Sequence, residues 1–335
     1  MAMPVYSSIP IMYHPTNIVL LDDELKFLND LSLVISPDIP YVLTDKPEEA
    51  ADYLRSHTYA PNALSALLTE QIYEGKPGGK ETFSIEYSQL LKILNSPDRF
   101  KKSVVAAIDR HMKLMDGLDF CFEIREKKVL VKLILFTART GLDEVVAAFN
   151  KKTIDAYLMK EGKPAELVKK LTELYEEYSR QQFIELGKAL TGLLSHVLKP
   201  LSDEQFINVF VAICKRYKAV EFYLLDSSCS FLIIDRMGKA WQFFVRKDAD
   251  FKDCYEIATN NKAPYEVLQA IRGRQMFPYT EKDMGYSHYE GDAWEDIMVN
   301  MEKVPGRELY YAVIERPDIK VYAYDKYLKE EWPKP

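Results

Sequence analysis

V-V-A-A-I-D-R-H-M-K-L-M-D-G-L-D, from Val104 to Asp119, sets a carboxylate at the end of an apolar run. Val104 to Ile108 is short and continuously apolar, the pattern of a strand covered on both faces in a parallel sheet. Asp109 then stands at the carboxyl end of that strand. In open α/β sheets this edge is where strand ends and helix starts converge on a ligand crevice. A lone Asp in such a place only starts a turn or caps a helix; its company decides otherwise.

Three further runs end in chemistry of their own. Asn17 to Asp23 reads N-I-V-L-L-D-D and closes on paired acids. A buried strand-end carboxylate is costly without a compensating cation or donor, so two of them together point to a divalent metal. Hard oxygen ligands with room for phosphate favour magnesium, which keeps several waters. Val131 to Ala138, V-K-L-I-L-F-T-A, ends in the hydroxyl of Thr137, and Ile154 to Lys160, I-D-A-Y-L-M-K, ends in an ammonium.

With these residues in order, residues 15–178 resemble the receiver domain of two-component response regulators. The family's D-x-x-M-P-x-M-D-G element is present as Asp109, Met112, Met115, Asp116 and Gly117, with Lys113 in place of the usual proline. The resemblance implies that Asp109 accepts phosphate, that Asp22 and Asp23 bind Mg2+ with Asp109 and the backbone carbonyl of His111, and that Thr137, Tyr157 and Lys160 form the switch. It also implies a sensor histidine kinase or phosphotransfer protein as donor, and a homodimer. His111 and Arg139 stand at rim positions that govern water access to the acyl phosphate. After Lys160 the order is K-E-G-K-P where the family has lysine directly before proline, so Lys163 is a rival for the phosphate contact. Tyr157 is correctly spaced only for Lys160.

The fold class expected is α/β, a doubly wound five-stranded parallel sheet with a helical insert, followed by a separate α+β domain. Asp23 to Ile35 carries a helical stripe, Ile39 to Leu43 reads as the second strand, and Pro47 opens a helix with acids in its first turn. Residues 58–102 then separate the acid pair from the acceptor by far more than a compact receiver needs. N-A-L-S-A-L-L-T-E-Q-I-Y, K-P-G-G-K and Y-S-Q-L-L-K-I-L predict two helices joined by a flexible turn there. Gly141 to Asn150 is the helix after the fourth strand.

Pro164 starts a long helical pattern with one stripe at Leu167, Leu171, Leu174 and Tyr178 and another at Phe183, Leu186, Leu190, Leu193 and Val197. The step from Tyr178 to Phe183 breaks register, which predicts a last receiver helix followed by a separate connecting helix over 179–200. A single continuous helix that also pairs subunits is the alternative.

Residues 201–335 predict a mixed α+β output domain. A helix capped by Ser202 is followed by strands at Val220–Leu225, Cys229–Asp235 and Ala240–Arg246, then helices near Pro264–Arg274 and Asp292–Met301. Leu309–Glu315 and Lys320–Tyr324 read as a last strand pair. No helix-turn-helix, nucleotide loop or zinc spacing is present, so no output enzyme is identified and specific DNA binding is not expected. The atypical response regulators of α-hydroxyketone quorum sensing also join a receiver to an output without a standard DNA-binding module; that closer resemblance rests on the arrangement alone.

The 335 residues suit two domains of ordinary size. A formal charge of −7 leaves no general nucleic-acid footprint, and four sparse cysteines fit a reduced compartment. No apolar run approaches about 18 residues and no signal peptide opens the chain, so a cytoplasmic location is expected. The reading overall is a phosphorylation-controlled switch. Its alternatives are a rarely phosphorylated scaffold, or a receiver that regulates a nucleotide-binding or enzymatic output.

Overall fold

In a computed structural model, described for residues 8–59, 68–72, 81–138, 141–161, 163–194, 198–280 and 285–332, the apolar runs form one parallel sheet. Its five strands lie in the order Tyr41–Thr44, Asn17–Leu21, Ser103–Asp109, Lys132–Thr137, Ala156–Met159. The central strands are covered on both faces, which is why they carry no alternation: Val19, Leu20, Leu21 and Val104 to Ile108 are all fully buried. Helices Leu25–Ser32 and Pro164–Leu194 cover one face; Pro47–His57, Gly117–Glu126 and Leu142–Asn150 cover the other. The crossovers bring Asp22, Asp109, Thr137 and Lys160 to one edge, the carboxyl ends of the strands.

The second body is an antiparallel sheet. Ala219–Leu224, Phe231–Asp235, Ala240–Lys247, Leu309–Glu315 and Glu302–Lys303 lie in that order, backed on one face by helix Glu204–Arg216 and on the other by Asp248–Asn260 and Tyr265–Arg272. Asp203 rather than Ser202 caps the first of these helices, its carboxylate accepting from the N–H groups of Gln205 and Phe206.

The two bodies are interlocked by the chain ends. Met12–Tyr13 leaves the receiver side and pairs with Ala219–Leu224 as a sixth strand of the antiparallel sheet. In return, helix Tyr324–Glu330 and Trp332 pack into the receiver core beside Tyr41, Phe100 and Leu171. Lys320–Tyr324 is therefore not a strand. Tyr324, Tyr327 and Leu328 follow a helical spacing that buries all three against the receiver.

Three other expectations are corrected. Among the described residues the insert is not two helices: Leu68–Ile72 and Glu81–Ile85 form an antiparallel pair, and Tyr87–Asn95 is its one α-helix. Thr82 to Ile85 alternates polar and apolar residues, a period of two that outweighs the helical reading of Leu68 to Ile72 before it. The K-P-G-G-K loop lies outside the described residues. No break divides the long helix, which runs unbroken from Pro164 to Leu194 in place of a receiver helix and a separate connector. Asp292–Met301 is a 3-10 helix, Gly291–Ile297, followed by strand Met298–Asn300 paired with Met276–Pro278.

Candidate functional site

Asp109 is the last residue of its strand and is buried. The turn beyond it is wound so tightly that a Cβ on Gly117 would lie 2.0 Å from the Asp109 carbonyl oxygen, so only glycine fits there. The Gly117 N–H closes the turn on the Arg110 carbonyl at 2.9 Å, and Asp116 caps the next helix by accepting from Leu118 N–H at 2.8 Å. One carboxylate oxygen of Asp109, Oδ2, accepts from the His111 N–H at 3.2 Å. The other, Oδ1, lies 2.7 Å from Lys160 Nζ.

Asp22 is fully buried, with Oδ1 accepting from Glu24 N–H at 2.9 Å and Oδ2 at 2.6 Å from the same Lys160 ammonium. Asp23 is half-buried and accepts from Lys113 N–H at 3.0 Å. Carboxylate oxygens of Asp22, Asp23 and Asp109 lie within 4.8 Å of one another. Burial holds the Asp22 carboxyl above the usual carboxylate range, with the neighbouring Asp109 charge adding to it and the Lys160 contact opposing it. For Lys160, burial pulls its pKa down, but the bonds to Asp109 and Asp22 outweigh burial and leave it raised. Its ammonium also lies 4.5 Å from the centre of the Phe27 ring, a cation–π contact on its apolar side.

Three hard carboxylates clustered this closely, one of them held above its usual range, fit a divalent cation: more positive charge than one ammonium is needed to satisfy them. Asp22, Asp23 and Asp109 are the side chains that would hold Mg2+.

The remaining expected residues fall as follows. Thr137 is buried at the next strand end, and its hydroxyl donates to the Ala138 carbonyl at 3.0 Å rather than towards Asp109. Tyr157 is half-buried on the edge strand with its ring edge-on to Phe149 at 6.3 Å. The His111 side chain is exposed, and Arg139 lies outside the described residues. Lys163 is exposed; its carbonyl accepts from Glu166 N–H where the long helix starts, while Lys160 makes the carboxylate contacts.

Arg110 and Glu144 were not legible as site residues. The Arg110 guanidinium is buried beside the acceptor and donates to both Asp116 and Glu144. Strand alternation was the available signal: it sends the side chain after Asp109 away from the crevice and onto the helices of that face.

Residues 86–172 match the response regulator receiver domain. That span holds Asp109, Thr137, Tyr157 and Lys160 but stops short of Asp22 and Asp23, which lie beyond the insert. The chain is similar to the Legionella pneumophila response regulator LqsR, with a TM-score of 0.73 and 25% identity over 97% of each chain. It is also similar to the Francisella response regulator 1452 receiver domain, with a TM-score of 0.32 and 15% identity over 48% of this chain and 98% of that one. A CheY-like receiver domain protein from Methanospirillum hungatei JF-1 gives 0.32 and 17% over 50% and 98%. No curated protein matches significantly. The chain carries a response regulator receiver domain joined to an antiparallel-sheet body in an LqsR-like architecture. Among the described residues no helix is long and apolar enough to cross a membrane.

Proposed function

We propose that the chain is a phosphorylation-controlled response regulator of a two-component system, with Asp109 as the phosphoacceptor. The observation that carries this reading is the convergence of Asp22, Asp23 and Asp109 within 4.8 Å, with Lys160 bridging Asp22 and Asp109, at the carboxyl edge of the parallel sheet. An Asp109 carboxylate oxygen attacks the phosphorus of a phosphohistidine on a sensor kinase or phosphotransfer protein. The P–O bond forms, the P–N bond breaks, and the leaving imidazole nitrogen keeps the bonding electron pair and takes up a proton. Such transfers ask the protein for position and for cations around the equatorial oxygens more than for covalent work. Asp22, Asp23, Asp109 and the His111 carbonyl would hold Mg2+, which would supply charge neutralisation at those oxygens. Lys160, already 2.7 Å from Asp109, supplies the second cation.

Once Asp109 carries the phosphoryl group, the Thr137 hydroxyl leaves the Ala138 carbonyl for a phosphoryl oxygen. Tyr157 and helix Leu142–Asn150 follow, a population shift driven by local charge. The output is a homodimer joined through the Tyr157 edge and that helix, where Val146 and Phe149 are 40% and 45% exposed. Light scattering with and without beryllium fluoride tests it; an unchanged monomer in both states excludes it.

Incubation with acetyl phosphate and Mg2+ should add one phosphoryl group to the intact protein. Asp109→Asn should give no adduct, and replacing both Asp22 and Asp23 by Asn should remove the Mg2+ dependence. Equal labelling of Asp109→Asn would overturn the assignment.

A further inference from the structure

Arg110 is held by its backbone and by both terminal nitrogens of its side chain. Its N–H donates to the Phe136 carbonyl at 2.9 Å, which fixes it in the sheet, and its carbonyl accepts from Gly117 N–H at 2.9 Å, which fixes it in the turn. The residue is only 7% exposed, and Nε has no hydrogen-bond acceptor. One terminal nitrogen donates to Asp116, the cap of the next helix. The other crosses to Glu144, in the first turn of helix Leu142–Asn150. The two ends of this bridge differ: the guanidinium is buried, whereas the Glu144 side chain is 68% exposed. Glu144 can leave with little change in solvation, and Arg110 then keeps Asp116.

That helix is the element a Thr137 rearrangement must pull. The Thr137 hydroxyl is bonded to the Ala138 carbonyl, and helix Leu142–Asn150 begins a few residues further along the chain. Motion of Thr137 towards Asp109 therefore draws on the turn that carries Glu144, while Arg110 anchors that turn to the base of the acceptor loop.

We infer that Arg110 is a positioning residue: with Glu144 it holds the first turn of helix Leu142–Asn150 in the unphosphorylated arrangement, and the switch proceeds by breaking this bridge. The inference rests on the proposed phosphorylation of Asp109. A half-exposed ion pair is the right strength for such a catch, since pairs of this kind bias an equilibrium by a few-fold and no more.

The test compares wild type, Glu144→Gln and Asp143→Asn with beryllium fluoride and Mg2+. Asp143 lies in the same first turn and carries the same charge, but Arg110 does not bridge to it. Removing it reproduces the effect on the helix dipole without touching the bridge. For Glu144→Gln, half-saturation should fall by about two- to five-fold. Amide exchange of helix Leu142–Asn150 should quicken without the mimic and equal wild type with it. Asp143→Asn should behave as wild type. Arg110→Lys, which cannot reach both carboxylates, should follow Glu144→Gln; if it does not fold, the exposed Glu144 variant still decides. Unchanged or weaker saturation in Glu144→Gln, or the same gain in Asp143→Asn, overturns the bridge alone. Failure of wild type to bind the mimic overturns the phosphorylation reading and the bridge with it.

Discussion

Arg99 and Glu221, from the receiver side and the antiparallel sheet, form an ion pair 2.7 Å long with side chains only 2% and 0% exposed. Arg99 also donates to the carbonyls of Leu94, Ser96 and Tyr322, and Tyr223 donates its hydroxyl to Glu221 at 2.8 Å. Every charge here is compensated, but only while the two bodies stay docked. Removing one partner leaves a buried charge alone, a change that costs about 3–5 kcal/mol. Glu221→Gln should lower unfolding stability by that order, measured by urea denaturation. A loss below about 1 kcal/mol, the level of an exposed pair, would show that the bodies are not held together here.

How much of this was legible follows from where each signal was local. The four strand ends could be read because continuous apolar runs and the residue that stops them are neighbours in sequence. The long helix was divided because its apolar stripe changes register between Tyr178 and Phe183. The structure explains the break without a break in the helix: Leu171, Tyr175 and Tyr178 face the receiver core, and Phe183 and Leu186 face the antiparallel-sheet core. The same helix serves two bodies that sit on different sides of it. Exchange of the chain ends was not legible, since Met12–Tyr13 and Tyr324–Glu330 each find their partners across most of the chain. Arg110 was missed for a different reason. Its partner Glu144 is brought near only by the crossover that builds the sheet.

Lys160 and Lys163 are separable by function. Lys160 Nζ neutralises two carboxylates at 2.6 and 2.7 Å, whereas Lys163 is exposed. A donor placed where transition-state charge develops is worth about 100-fold or more in rate. Lys160→Met should slow acetyl phosphate labelling by about that factor, and Lys163→Met should leave it within about two-fold. Intact-mass time courses measure both, and the reverse order would transfer the role to Lys163.

His14 ties acid stability to the junction between the bodies. It is fully buried against Phe100, Phe183 and Tyr59, with one ring nitrogen bonded to the Pro15 carbonyl and the other to the Tyr59 hydroxyl. Burial lowers its pKa from 6.5 to about 3, with Arg99 and Lys102 acting the same way. The folded state thus keeps His14 neutral where the unfolded chain binds a proton. Its stabilising contribution is complete above pH 6.5 and is lost as pH falls from there towards 3. Within that window the slope is about 1.4 kcal/mol per pH unit. His14→Asn should flatten the pH dependence of urea unfolding by close to one proton, read as the difference between the two proteins. Parallel curves would mean that His14 is already protonated in the fold.

The antiparallel-sheet body should not bind duplex DNA specifically. Affinity for DNA comes largely from cations free to displace condensed counterions, and sequence is read by an element whose start reaches base edges. Here several of the basic side chains are paired with acids: Arg246 with Asp226, Arg274 with Asp248, Arg307 with Asp203, Arg316 with Asp318, and Arg236 with Asp38 and Asp325. Lys239 and Lys303 are likewise paired, with Glu315 and Glu308. Releasing any of these to a phosphate would leave an acid beside the DNA, which offsets part of the electrostatic gain. Helix Glu204–Arg216 is poorly suited to enter a groove with its start, because its N-terminal turn carries Asp203 and Glu204, while Phe206, Ile207, Phe210 and Ile213 bury its other side against the sheet. Genome-fragment selection with the phosphorylated protein at low salt should recover no recurrent sequence, and any retained DNA should be released on raising salt from about 50 to 200 mM. One recurrent site bound with a steep salt dependence would mean that the ion pairs open on phosphorylation and that the output is DNA after all.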